Sequence, residues 1–357
     1  MPTSPPSKRP VAILGATGAV GQAFVRLLAD HPWFEIAEVA ASERSVGKSY
    51  AEATHWLGAG PIPERIARLT VVPCEPGAVR APLVFSALDA AAAIEIEAAF
   101  ARAGKLVLSN TSSYRMDADV PLVIPEVNPD HLDLIPIQRK RRGWTGAIVT
   151  NANCAAIPSA VALAPLHRKF GVRRVVAVTM QAVSGAGYPG VPSLDILGNV
   201  IPHIGKEEGK IETEINKMLG GFDGAAVAPA PFVVSAHANR VAVENGHTVC
   251  LSVECDRAVT PEQAADALRA WTGHADARTL PSAPERPLIY TDEPDHPQPR
   301  VDAMLGRGMS VVAGRMRRDP VFHIKFVVMA HNVIRGAAGA AVLNAELLTA
   351  RGLLDRS

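Results

Sequence analysis

Residues 11–22 read VAILGATGAVGQ: an apolar run of strand type, a glycine-rich turn, and the start of a helical pattern that continues through Leu28. A turn in that setting has a specific chemical use. Glycines let a phosphate approach the backbone, and a helix start offers free N–H groups and the positive end of its dipole. The spacing in Gly15-Ala16-Thr17-Gly18-Ala19-Val20-Gly21 is GxxGxxG rather than GxGxxG. The setting of strand, turn and helix therefore carries the inference more than the glycines do. A plain strand-to-helix turn is the competing interpretation.

Strand-like and helical runs alternate downstream. Residues 34–41 (FEIAEVAA), 69–73 and 82–88 have strand character, 89–103 form a strong helical pattern, and 105–109 return to strand. Such alternation predicts a parallel, doubly wound sheet. The pattern changes near residue 150. A helix is expected over 154–170, with Pro158 tolerable only near the first turn. A long strand follows at 173–183, a charged helix at 206–219, and strand-like runs at 231–243, 247–254, 309–316 and 321–330. Thr260, Pro261 and Gln263 fit the capped start of a helix reaching Trp271. These elements predict a mixed or antiparallel sheet with helices on one face. A last helix, about 331–353, is expected to return to the first half, and the proline-rich stretch 280–300 reads as a loop or arm. The fold class is thus α/β: an N-terminal Rossmann-like doubly wound parallel sheet plus an α+β domain with a mixed sheet.

The whole-chain numbers bound the function. The chain has 357 residues, 48% hydrophobic and 20% charged, which suits two ordered domains. Thirty-six basic and 35 acidic side chains leave a net charge of +1. That balance supplies no field for nucleic acid or an anionic membrane, so the expected partner is a small molecule. Cys74, Cys154, Cys250 and Cys255 include no CxxC pair, which argues against a zinc knuckle or a disulfide scaffold, and no metal is expected. Residues 1–10 lack the apolar core of a signal peptide, and no run of 18 apolar residues occurs. A soluble, cytoplasmic protein is expected.

Several residues are candidates on position. Ser42-Glu43-Arg44-Ser45 and Lys48 lie about 20 residues past the last glycine, where a dinucleotide site meets the adenosine ribose. Arg44, Lys48 and the serine hydroxyls suit a 2′-phosphate, favouring NADP over NAD, whereas Glu43 would serve an unphosphorylated ribose. Cys154 follows Asn151-Ala152-Asn153 and opens an apolar helical run, where the helix dipole stabilises a thiolate. It is either a nucleophile or a small buried hydrophobe. A thiol nucleophile calls for an acid/base partner. His247, just after Gly246 and seven residues past Arg240, is the first candidate, with His331 and His237 competing. Gln181 to Gly187 end a strand in small residues, which let the chain approach a flat ligand. Glu207 and Lys210 share a helix face, and a solvated ion pair would explain them equally well. Arg115, after Ser112-Ser113-Tyr114, is unremarkable alone.

Taken in order, GATGAVGQ, AASERSVGK, SNTSSYRMD, NANC, QAVSGAGYPG, the KEEGKIETE helix, ANRVAVENGHT and HNVIRGAAG resemble the aspartate-β-semialdehyde dehydrogenase family, in its archaeal and fungal branch. The resemblance runs from about Val11 to Leu354. It implies a nucleophile at Cys154, an acid/base at His247, and substrate positioning by Gln181. It implies that Arg240 grips the substrate α-carboxylate and Glu207 meets the α-ammonium group. Arg115 and Lys210 correspond to the phosphate-site cations, with Asn153 beside the substrate. Gly15, Thr17, Gly18, Ala19 and Val20 correspond to the pyrophosphate turn, Ser42, Arg44 and Ser45 to the 2′-phosphate, and Ser184, Gly185 and Asn332 to the nicotinamide end.

The implied reaction is NADPH-dependent reductive dephosphorylation of aspartyl-β-phosphate through a cysteine thioester, in amino-acid biosynthesis. His247 would take a proton as the thiohemiacetal collapses. The implied domains are 1–150 for the dinucleotide, joined by the C-terminal helix 331–357, and 151–330 for catalysis and dimerisation, assembling as a homodimer or homotetramer. The family's usual Asn-Pro-Asn-Cys followed by serine or threonine is here Asn-Ala-Asn-Cys-Ala155-Ala156-Ile157-Pro158. Its Cys-x-Arg-Val-Pro is here Ala238-Asn239-Arg240-Val241-Ala242, and a threonine common after His-Asn is here Val333. These departures leave an acyl-CoA reductase of malonyl-CoA type, or another acyl-phosphate reductase, as the alternative.

Overall fold

A computed structural model describes residues 7–354. Residues 1–6 and 355–357, the latter the end of the expected C-terminal helix, lie outside the described residues.

The first half is built from β1 (Arg9–Leu14), α1 (Ala19–Leu28), β2 (Phe34–Ala41), α2 (Tyr50–Ala53), α3 (Glu64–Ala67), β3 (Val71–Pro73), β4 (Leu83–Ser86), α4 (Ala90–Arg102), β5 (Leu106–Ser109), α5 (Leu134–Arg142) and β6 (Ala147–Thr150). The strands form one parallel sheet in the order β3-β2-β1-β4-β5-β6. Helices cover both faces, so β4, β5 and β6 are buried along their whole length. Central parallel strands therefore read as unbroken apolar runs. The strand order reverses between β1 and β4, where doubly wound sheets open a ligand crevice at their carboxyl ends. The 11–22 turn leaves the sheet at that crevice.

The second half contains α6 (Ala156–Phe170), β7 (Val172–Gln181), α7 (Ser193–Ile196), α8 (Glu207–Met218), the short strands β8 (Gly221–Phe222) and β9 (Val227–Ala228), β10 (Val233–Arg240), β11 (His247–Cys255), α9 (Pro261–Arg269), β12 (Leu288–Thr291), α10 (Pro299–Asp302), β13 (Val311–Arg318) and β14 (Ile324–Ala330). Its sheet runs β10-β7-β11-β14-β13-β12, parallel at its two outer pairs and antiparallel within. Helices α6, α8 and α9 pack on one face. The other face leaves Val178 and Val233 exposed.

Helix α6 is buried on all sides from Ala156 to Leu166. An all-round apolar helix belongs inside a large core. Its small alanines let it approach the sheet, and Pro158 sits in the first turn as expected. Pro165 lies inside the helix as well. The α9 start forms the expected reciprocal cap, with Thr260 Oγ1 accepting from the Gln263 N–H and Gln263 Oε1 from the Thr260 N–H.

Two expectations need correction. The proline-rich stretch 280–300 is not only a loop: it supplies β12, an edge strand parallel to β13. Proline is tolerated at an edge because one side of the strand needs no donors. The expected helix over 331–353 starts as a π-helical turn, Ile334–Ala338, and becomes α11 only at Gly339–Ala350. Helix α11 packs into the core of the first sheet, beside α1, through residues such as Leu343, Leu347 and Leu348.

Candidate active site

The glycine turn is braced from several sides. Gly15 adopts a left-handed φ of 71°, and a Cβ there would lie 2.5 Å from the Ala87 carbonyl oxygen. A Cβ at Gly21 would fall 2.2 Å from the Gly15 oxygen, so the first turn of α1 sits directly on the loop. Tyr50 donates its hydroxyl to the Ala16 carbonyl at 2.8 Å, and Gln22 donates to the Thr17 carbonyl at 2.9 Å. Helix α1 has no side-chain cap and no acid in its first turn. Its first N–H groups are thus available to an anion.

The turn borders two clefts. One, about 730 Å³, is lined by Gly15, Thr17, Gly18, Ser42, Glu43 and Arg44, along with Cys74 and Asp89. Ser45 and Lys48 do not line it. Ser45 instead closes the turn by donating its N–H to the Ser42 carbonyl at 2.9 Å.

The other cleft, about 490 Å³, begins at Ala19 and Val20 and runs between the two sheets. It gathers Arg115, Asn153, Cys154, Gln181, Ser184, Gly185, Glu207, Lys210, Arg240 and Asn332, all singled out from sequence and drawn from nearly 220 residues of chain. Cys154 sits in the turn ahead of α6, with Asn153 Oδ1 accepting the N–H groups of Ala155 and Ala156 at 2.9 and 3.1 Å. That is the helix-capping role of asparagine. Asn153 Nδ2 donates to Glu207 Oε1 at 2.7 Å, and Lys210 Nζ lies 3.2 Å from Glu207 Oε2. Arg240, at the end of β10, donates to the Ala182 carbonyl at 2.7 Å. Gly336 of the π turn packs on the thiol residue, since a Cβ there would meet Cys154 Cβ at 2.6 Å. Single π turns of this kind recur at functional sites.

His247 lies fully buried behind Gly185, whose Cβ, if present, would stand 3.1 Å from His247 Nε2 and 2.9 Å from Arg240 Nη1. The ring's Nδ1 accepts the Ala182 N–H at 3.1 Å, and Nε2 has no partner. A neutral imidazole accepting at Nδ1 carries its proton on Nε2. Burial, then Arg240, then His331 lower the ring's pKa to about 3, so it stays neutral across the physiological range.

The two competing histidines have other places. His331 accepts the N–H groups of Val333 and Ile334 at Nδ1 and thereby caps the π turn. His237 is exposed on β10. Asn332 accepts the Gly246 N–H at 2.8 Å and donates to Ser184 Oγ at 2.8 Å, joining the strand end, the turn before His247 and the π turn.

The helix-start argument for a stabilised thiolate does not hold in this cleft. Burial pushes the Cys154 thiol up to about 12, Glu207 adds to the rise, and Arg115, Arg240 and Lys210 oppose it. Desolvation of the anion outweighs the three cations. The thiolate fraction then grows about tenfold per pH unit below the pKa. The rate of Cys154 alkylation by iodoacetamide, followed on its own peptide, should rise by that factor from about pH 7 to about pH 10. A plateau within that range would show a thiolate already formed.

Sequence reasoning missed Asn110 and Gly336 in the cleft and Glu214 beneath it. Glu214 could have been found, because it lies seven residues past Glu207 on the same helix face. Asn110 bonds through its side chain to Ser86 and Asn151, and Gly336 gives room to Cys154; both partnerships are non-local and leave no spacing signal.

A semialdehyde dehydrogenase NAD-binding domain family model matches residues 10–135, and a semialdehyde dehydrogenase dimerisation domain model matches residues 163–335. The chain is 50% identical over 338 residues to an aspartate-semialdehyde dehydrogenase of Archaeoglobus fulgidus, covering 95% of this chain and 97% of that one. It is 46% identical to that of Cryptococcus neoformans, covering 99% of this chain and 100% of the relative. In three dimensions it matches the Candida albicans aspartate-semialdehyde dehydrogenase solved with NADP, with a TM-score of 0.89 and 39% identity over 97% of this chain and all of that one. A Vibrio cholerae aspartate-semialdehyde dehydrogenase II matches with a TM-score of 0.74 and 29% identity over 96% of this chain and 98% of the other.

Proposed function

The chain belongs to the aspartate-semialdehyde dehydrogenase family, and on that premise we propose how its cleft interconverts L-aspartyl-4-phosphate and L-aspartate 4-semialdehyde. It is an NADP-dependent, phosphorylating aldehyde dehydrogenase. The observation that carries the site assignment is one cleft that gathers Cys154 with Arg115, Lys210 and Arg240 and is bordered by Ala19 and Val20 of the glycine turn.

The residues fit the dinucleotide. A backbone bend open only to glycine at residue 15, an uncapped α1 start and Arg44 with Ser42 beyond it suit a pyrophosphate followed by a 2′-phosphate. Gly15, Thr17, Gly18, Ala19 and Val20 hold the pyrophosphate, and Ser42, Arg44 and Ser45 form the turn at the ribose phosphate. Ser184, Gly185 and Asn332 take the nicotinamide end. NADPH, when bound, supplies the hydride.

Arg240 holds the substrate α-carboxylate, and Glu207 the α-ammonium group. Gln181, buried at the end of β7, positions the acyl group against the thiol. Cys154 attacks the acyl phosphate carbon, and its thiol proton leaves with the phosphate as hydrogen phosphate. Arg115 and Lys210 steady the departing anion, a charge clamp that acts most strongly in a dry cleft. His247 donates a hydrogen bond from Nε2 to the oxygen of the thioester, which becomes negative as the aldehyde carbon is made. Collapse expels the Cys154 thiolate, which takes a proton. A neutral ring engaged at Nδ1 has a proton rather than a lone pair at Nε2, so the role proposed here for His247 is donation, where the sequence suggested that it takes a proton.

Residues 1–150 with the helix after 331 form the cofactor half, and 151–330 the catalytic and assembly half. The chain assembles as a homodimer or homotetramer through the sheet face that leaves Val178 and Val233 exposed. No helix among the described residues is long and apolar enough to cross a membrane, and a cytoplasmic location suits the free cysteines.

The test is NADP reduction by aspartate semialdehyde. Beyond a single turnover, NADPH should accumulate only with inorganic phosphate, and faster with NADP than with NAD. No turnover with either cofactor, or turnover that needs CoA in place of phosphate, would contradict this function.

A further inference from the structure

Helix α8 presents more than Glu207 and Lys210 toward the cleft. At about 100° per residue, Glu207, Lys210, Glu214 and Lys217 fall within roughly 80° of one another. Glu214 is 1% exposed. Its two oxygens serve two separate parts of the site. Oε1 lies 3.0 Å from Arg115 Nη1, and Oε2 accepts the Asn153 N–H at 2.5 Å. One turn further on, Lys217 Nζ donates to the carbonyls of Arg115, Asp117 and Val120 at 2.6, 2.8 and 2.8 Å. The loop that carries Arg115 is therefore tied to α8 by both side chain and backbone.

The two clients of Glu214 depend on it unequally. Arg115 has one other bond, from Nη2 to the Asn110 carbonyl at 2.8 Å, and its buried Nε has no partner. Asn153 keeps three further bonds, to Glu207 and from the N–H groups of Ala155 and Ala156. Removing the carboxylate charge thus leaves the Cys154 turn largely in place but frees the Arg115 guanidinium. A carboxylate that bridges the two fixes the Arg115 guanidinium relative to the Cys154 turn.

We infer that Glu214 is a positioning residue for the phosphate half of the reaction, setting the Arg115 guanidinium against the turn that bears Cys154. The inference rests on the phosphate role given to Arg115 above. Effects of small displacement are large in such sites, because an oriented cation loses its advantage within about 1 Å. Glutamine at this position keeps the shape of glutamate. Its amide, however, offers an oxygen to only one of the two donors and turns N–H groups toward the other. Aspartate keeps the charge but falls one methylene short of spanning both.

The experiment compares wild type, Glu214→Gln and Glu214→Asp as full-length chains. In one arm, aspartate semialdehyde and NADP are mixed without phosphate, and the burst of NADPH reports hydride loss to the thioester stage. In the second, steady-state turnover is measured against phosphate concentration. Glu214→Gln should keep a burst within about twofold of wild type, raise KM for phosphate at least tenfold, and leave KM for NADP unchanged. Glu214→Asp should recover part of the phosphate KM. A wild-type phosphate KM in Glu214→Gln would overturn the inference. So would equal losses of burst and phosphate step, or a phosphate KM in Glu214→Asp no better than in Glu214→Gln, since a merely structural residue gives either pattern. Absence of turnover in the wild type would instead contradict the proposed function, so the two failures are separable.

Discussion

Cys154→Ala reduces phosphate-dependent NADP reduction to background, a loss of roughly four or more orders of magnitude, because among the described residues Cys154 is the one thiol that lines the cleft. The variant should fold as the wild type does. Alanine removes one sulfur from a cleft-lining position, and the Asn153 cap that holds the turn is untouched. Cofactor binding should persist as well, since the residues around the glycine turn lie apart from the thiol. The measurement is initial rate alongside NADP affinity by fluorescence or calorimetry. The other cysteines provide the control: Cys250 and Cys255 lie on β11, away from the cleft, and their replacement by serine or alanine should spare the chemistry. Residual activity within tenfold of wild type in Cys154→Ala would remove the nucleophile from the account.

The second large effect concerns stability. Glu126 and Arg335 form a bidentate pair at 2.8 and 3.0 Å, with the two residues 2% and 1% exposed. Glu126→Gln leaves the Arg335 charge buried without a counter-ion. Such half-broken pairs cost about 3–5 kcal/mol, whereas replacing both partners with apolar side chains is often close to neutral. For a chain of this size the single change should lower the melting temperature by roughly 5–15 °C. The double variant Glu126→Met/Arg335→Met should recover most of that loss. The pair also matters to the site, because Arg335 precedes Gly336, which packs on Cys154 Cβ. Loosening the π turn should therefore lower kcat along with stability. A double variant as unstable as the single one would show that the pair contributes more than charge compensation.

The sequence exposed the scaffold where one residue class repeats with one period. The alternation of apolar strands and helices before residue 150 was sufficient for the parallel sheet, and the capped start at Thr260 was visible as a spacing. The stretch 280–300 hid β12 because six prolines mask a four-residue edge strand whose pairing with β13 is non-local. The break at 334–338 was hidden because a π turn differs from an α-helix in hydrogen-bond pattern and not in composition. At the site, Cys154, the Gln181–Gly187 turn, Glu207 and Lys210 were candidates on position, and the order of eight motifs joined them into one site. Arg115 alone carried no signal, and its meaning comes from lying near Glu207 and Lys210, nearly a hundred residues later. The ionisation states were not legible at all. Cys154 and His247 both stay neutral because of burial, a property of the folded surroundings. A helix-start rule applied to sequence pointed the other way for the thiol.

The proposed reaction passes through a bond between the aspartyl carbonyl carbon and Cys154 Sγ. Mixing the full-length protein with aspartate semialdehyde and excess NADP, without phosphate, and quenching in acid should trap that state for mass spectrometry. The account predicts that the peptide containing Cys154 gains the mass of one aspartyl acyl group, and that added phosphate removes it. An unmodified Cys154 peptide despite NADPH formation, or the acyl group on a different residue, would contradict it.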